Sequence, residues 1–253
     1  MIKLFSCFKK NRQHPTLFTP KLDKQIPNFS LLHLLVVILM IWGCVRILTI
    51  TLHTPMYGYS NNWDFIRVQS FHGCYPTNGI RGAYLDAPVS EYKLTGPIDH
   101  NYFYLTSEML FTSLAINMSV LFNLLVGNPL TDFSLYSLGM LKSGFLIIIG
   151  IFLTLLFFRK NAGAGILSAA IFAILIADPM NTLYFNTLYY DSSVFIFNYL
   201  SMGLLLYILF FRERNRLLLG IVSLSLLMLG MSKVQYFLLP ICMTAGFGIL
   251  YWL

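Results

Sequence analysis

Charge is what this sequence has least of. Asp, Glu, Lys and Arg together make up 11% of its 253 residues, against about a quarter in ordinary soluble domains. That shortage excludes disordered tails, secreted scaffolds and cytosolic enzymes. Cysteine is scarce as well: four residues at positions 7, 44, 74 and 242 have no regular spacing, so no disulfide or zinc framework is implied. No Gly-rich phosphate loop is present. What abounds is apolar surface, 57% of residues at a mean hydropathy of +0.70, gathered in blocks near bilayer length. The chain reads as an all-α polytopic membrane protein.

The net charge of +7 is distributed as a topology signal and does not read as a nucleic-acid surface. Lys3, Lys9, Lys10, Arg12, Lys21 and Lys24 precede the first apolar block, while Arg159–Lys160 and Arg212, Arg214 and Arg216 fall between later blocks. Basic clusters in short loops mark the cytoplasmic side. Residues 1–29 are therefore a basic cytoplasmic tail and 30–253 a membrane domain. The first block, 31–52, is too long for a signal-peptide core and reads as a retained anchor; Arg46 in its outer third is expected to snorkel.

Residues 53–135 read as a long external loop, and connections of that length are usually functional. Within it, 104–127 interleaves Thr106, Ser107, Glu108, Thr112, Asn117 and Asn123 with leucines and phenylalanines. An interfacial helix accounts for this pattern and keeps the basic loops on one side; a span is the alternative. Blocks at 137–158, 163–177, 192–211, 217–232 and 236–253 complete about six spans. Eight carboxylates (Asp64, Asp86, Glu91, Asp99, Glu108, Asp132, Asp178 and Asp191) then fall outside, leaving Asp23 and Glu213 inside. An acid-lined external face suits chemistry there better than a path through the bilayer. The apolar run that ends at Tyr251-Trp252-Leu253 reads as part of a longer protein.

Three clusters carry candidate chemistry. Asn61-Asn62-Trp63-Asp64-Phe65-Ile66-Arg67 lies just past the first span. A carboxylate partly desolvated by Trp63 and Phe65 makes a stronger base for a hydroxyl. Arg67, on the same face if the segment is helical, would pair with Asp64 or receive a phosphate. The alternative is a helix cap at Asn62 or Asp64. Asp99-His100-Asn101-Tyr102 precedes the interfacial segment; a metal set of Asp99, His100 and His72 has the ligand types without a diagnostic spacing. Tyr184-Phe185-Asn186-Thr187-Leu188-Tyr189-Tyr190-Asp191 enters the fourth span. Lys142 and Lys233 lie near outer ends of spans, where an anionic ligand or snorkelling would explain them.

Taken in order, these residues resemble the C-type membrane glycosyltransferases that use polyprenyl-phosphate sugars, among them the protein O-mannosyltransferases and the aminoarabinose transferase of lipid A. Nearer in wording are bacterial hexose transferases of surface-glycan biosynthesis. Residues 61–67 are similar to their Asn-Asn-Gly-Asp-Phe-x-Arg motif, with Trp63 for the small residue. Residues 184–191 are similar to Tyr-Phe-Asn-x-x-Tyr-x-Glu, with Asp191 for Glu, and Lys233-Val234-Gln235 to Lys-Pro-Gln, with Val234 for Pro.

The resemblance covers about residues 30–236. It implies a plasma-membrane (bacterial inner-membrane) enzyme that moves a sugar from polyprenyl phosphate to a glycan, lipid or protein hydroxyl at the outer face. Asp64 would be its general base. Asn61, Asn62, Arg67, Asp99, Lys142, Tyr184, Asn186, Asp191, Lys233 and Gln235 would contact substrate. No nucleotide site is needed, no metal ligand is assigned, and a divalent cation stays open as a cofactor. A lipid-linked oligosaccharide flippase and a non-catalytic membrane subunit are the competing expectations.

Overall fold

The computed structural model describes residues 31–58, 63–77, 89–96, 98 and 105–252, with the side chains of Trp63, Asp64 and Val234 outside that description. The expectations for the tail 1–29, for Asn61, Asn62 and Asp99, and for the Asp64 carboxyl lie outside the described residues.

The apolar blocks close into helices because hydrocarbon offers backbone N–H and C=O groups no partner but each other. Helix α1 is Leu31–Thr51, α3 is Ser107–Val126, α4 is Leu135–Lys160 and α7 is Asp191–Phe211. Each of these four is long and apolar enough to cross a membrane. Three shorter apolar helices join them: α5 (Ala162–Ile171), which continues as a π-turn over Phe172–Ile176, α8 (Arg216–Ser232) and α9 (Leu238–Trp252). The chain is thus an all-α polytopic membrane protein, as its composition implies. A short α2 (Trp63–His72) and a single turn, α6 (Pro179–Thr182), complete the helices among the described residues.

Close packing fixes the bundle. The Phe172 ring is fully buried and lies against Gly43 of α1 and Gly150 of α4. Any larger residue at either position would displace it. Arg46 has protein partners. Its guanidinium donates to the Ala173 and Ile174 carbonyls at 2.7 and 3.2 Å and to Asp178 Oδ2 at 3.1 Å. The π-turn leaves helix-end carbonyls without intrahelical partners, and Arg46 supplies donors to two of them.

One end of the bundle carries a small antiparallel sheet in the order β1 (Tyr75–Pro76), β2 (Glu91–Lys93), β3 (Asp132–Ser134). Tyr92 pairs with both Pro76 and Phe133, which ties the end of α2 to the start of α4. The loop after α1 joins the same end, where the Tyr136 hydroxyl donates to the His53 carbonyl at 2.9 Å. The opposite end is basic: Lys160 pairs with Glu213 at 3.0 Å, and the Arg214 Nε donates to the Tyr251 hydroxyl at 3.0 Å.

Helix α3 is long enough to span, yet both its ends attach to the sheet end. At its start Ser107 bonds Ser232, the last residue of α8, at 2.5 Å. At its finish Asn123 Nδ2 donates to the Pro129 and Asp132 carbonyls at 3.2 and 2.8 Å, and Gly127 closes the helix in the left-handed region, φ 82°. Glu108 and Asn123 are roughly 22 Å apart along α3, whereas Glu108 meets α4 at Lys142, only about 10 Å from that helix's start. An antiparallel companion of α4 would instead bring its N-terminus toward Arg159. The inward face of α3 carries Thr112, Ala115, Ser119 and Asn123; its exposed face carries Leu114, Met118, Leu121, Phe122 and Leu125.

Candidate functional site

Charges converge where α3, α4, α7 and α8 meet at the sheet end. Lys142 Nζ lies 2.5 Å from Glu108 Oε1, with both side chains fully buried. The ammonium also donates to the Thr187 carbonyl at 2.8 Å, and the Ser192 hydroxyl donates to Glu108 Oε2 at 3.0 Å. A charge in an apolar interior persists only when paired and hydrogen-bonded, and here each partner has both. Lys142 therefore neither snorkels nor meets an anion in the lipid; its counter-ion is supplied by α3. Sequence reasoning missed Glu108 as that partner. The available signal was one acid and one base, each alone in an apolar run.

Asn186 is also built in. Its amide NH2 donates to the Thr51 carbonyl at 3.0 Å and to the Tyr57 carbonyl at 3.2 Å, which satisfies the last turn of α1. The side chain is 2% exposed and packs against Gly139 of α4, where a Cβ would collide with it. It is a brace between α1, α4 and the loop before α7.

Above the dry pair lies a wetter one. Lys233 Nζ is 3.4 Å from Asp191 Oδ1 and 3.5 Å from Oδ2, with side-chain exposures of 20% and 33%. A tight charge-assisted bond is about 2.7–2.9 Å, so this pair is loose and reachable from solvent. Asp191 opens α7 and Lys233 follows the end of α8. The residues beside them, Ser192 and Ser232, carry the bonds to α3 described above.

The start of α2 reaches the same place. Phe65 is buried, 1% exposed, and meets the Tyr189 ring edge-on with 4.9 Å between centroids. Tyr184 packs on Tyr189 in turn at 6.0 Å. The first turn of α2, which contains Asp64, thus abuts the loop that delivers Asp191. Arg67 is half-buried on the same helix, and Gln235 is exposed in the single turn after Lys233. The structure brings Lys142, Tyr184, Asn186, Asp191, Lys233 and the beginning of α2 to one end of the bundle.

Behind α2 the environment turns dry. Burial pushes His72 down to about 4, against a hydrogen bond with the Met109 backbone. It pushes the Cys74 thiol up to about 12 and raises the Tyr92 phenol. No group of three His, Cys, Asp or Glu side chains comes together among the described residues. A family model described as the YfdI N-terminal transmembrane domain matches residues 20–252. No curated protein and no solved structure matches the chain.

Proposed function

Since the chain belongs to the family of the YfdI N-terminal transmembrane domain, we propose that it is a plasma-membrane glycosyltransferase using a polyprenyl-phosphate-linked sugar at the outer face. The sheet end is that face in this reading, with the basic end cytoplasmic. The observation that carries it is the solvent-reachable Lys233–Asp191 pair beside the first turn of α2.

Lys233 releases Asp191 at little cost and takes the donor's phosphate as negative charge builds on it, a preorganised electrostatic role. Asp64 accepts the proton of the acceptor hydroxyl while that oxygen bonds the anomeric carbon. The bond from that carbon to the phosphate oxygen breaks, and the lipid phosphate leaves with the electron pair. Glu108 and Lys142 hold α3 against α4 and α7, which fixes where α7 and Lys233 stand. Arg67, Tyr184 and Gln235 are the further candidate contacts at this end of the bundle.

The activity is tested in vesicles containing the full chain and a radiolabelled hexose on polyprenyl phosphate. The proposal predicts label in an acceptor together with free polyprenyl phosphate. Movement of the intact lipid-linked sugar across the bilayer without transfer would overturn it in favour of a carrier.

A further inference from the structure

At the basic end, opposite the Lys233–Asp191 pair, the last turns of α7, the first of α8 and the last of α9 fail to close on one another. They leave a groove of about 470 Å³. Its walls are mostly apolar, with Leu205, Leu209, Val222, Leu226 and Phe247 among them, and Glu213, Arg214 and Tyr251 stand at one end. Along each helix the walls run for about 10–15 Å from the arginines, the depth of one leaflet of a core about 30 Å thick. An apolar slot of that depth suits an acyl chain.

The mouth is cationic. Arg212 donates to the Tyr251 carbonyl and lies over its ring, 5.0 Å from the centroid. Arg214 spends only its Nε on the Tyr251 hydroxyl, which leaves its terminal NH2 groups for another acceptor. Arg216 is exposed in the first turn of α8, whose N-terminus is capped by Asn215 Oδ1 at 2.8 Å. The neighbouring acid, Glu213, is already held by Lys160. Arg214 thus lines one end of an apolar slot, with Arg212 and Arg216 its near neighbours in sequence.

We infer that this groove is a site for one anionic diacyl phospholipid. Its phosphate lies among Arg212, Arg214 and Arg216, and an acyl chain lies between α7, α8 and α9. General attraction of a basic loop to an acidic membrane needs no pocket; here charge and slot share one opening. The bound lipid would bridge α7, α8 and α9 across this gap. The inference stands independently of the proposed transfer chemistry.

The test is native mass spectrometry of the full chain released from nanodiscs of equimolar dioleoyl phosphatidylglycerol and dioleoyl phosphatidylcholine. One phosphatidylglycerol should be retained in preference to phosphatidylcholine. Arg214→Gln with Arg216→Gln should weaken its retention roughly 25-fold, about fivefold per charge, while Arg159→Gln leaves it unchanged. Gly248→Leu separates slot from charge. Gly248 lines the groove, and a side chain there meets nothing within 4 Å, so leucine fills the slot and should expel the lipid with all arginines in place. Equal retention of the two lipids, or undiminished phosphatidylglycerol in the Gly248→Leu chain, overturns the inference. So does a lipid-free dimer with the groove closed.

Discussion

Glu108 of α3 and Lys142 of α4 form an ion pair from which solvent is excluded on both sides. Removing one partner of such a pair strands the other, at a cost of about 3–5 kcal/mol, whereas replacing both with apolar residues is often neutral or better. Glu108→Leu and Lys142→Leu should each lower the thermal midpoint in detergent by several degrees, and the double variant should recover most of the loss. Equal, additive losses would mean that the two charges are not coupled.

Gly139 and Asn186 form a second test of the packing. Gly139→Ala drives a methyl into the Asn186 amide and should loosen its bonds to Thr51 and Tyr57, destabilising the chain by about 1–3 kcal/mol. Gly144→Ala on the same helix meets nothing within 4 Å, so it should stabilise by up to about 1 kcal/mol through helix propensity. Thermal midpoints of the two variants should move in opposite directions.

His72 gives the sheet end a pH dependence. Its folded value, about 4, lies below the ordinary 6.5, so between those limits the unfolded chain binds more protons than the folded one. Stability from this group is complete above about pH 6.5 and is lost as pH falls toward 4. Hydrogen exchange in α2 and at the start of α3 should quicken on acidification through that window in the parent chain. His72→Gln should flatten the response.

The attachment of both ends of α3 to one end of the bundle is open to chemical labelling. With the native cysteines replaced by serine, Leu105→Cys and Asn128→Cys flank α3 and should both react with an impermeant maleimide from outside. Asp86→Cys should react from the same side and Lys160→Cys should not. Labelling of positions 105 and 128 from opposite sides would make α3 a span.

The helices were legible because hydrocarbon forces an apolar block to satisfy its own backbone, so 137–158 and 192–211 read out close to α4 and α7. The sheet was not. Strands of two or three residues such as Tyr75–Pro76 and Glu91–Lys93 carry no periodicity, and their partners are remote in sequence. The two lysines were legible as anomalies but not in their resolution. Lys142 found a buried glutamate on a helix whose polar residues suggested a surface. Lys233 found Asp191, already singled out for other reasons. Asn186 was singled out as well, yet its bonds to the end of α1 depend on a loop conformation that composition does not encode.

In the proposed mechanism Asp64 takes a proton from the acceptor hydroxyl. The most direct measurement is the rate of label transfer from polyprenyl-phosphate hexose in vesicles holding Asp64→Asn, beside the parent chain at matched insertion. Transfer should fall about 10²–10⁴-fold with donor binding retained, whereas Lys233→Gln should raise the donor KM. Transfer by Asp64→Asn at the parent rate would contradict it.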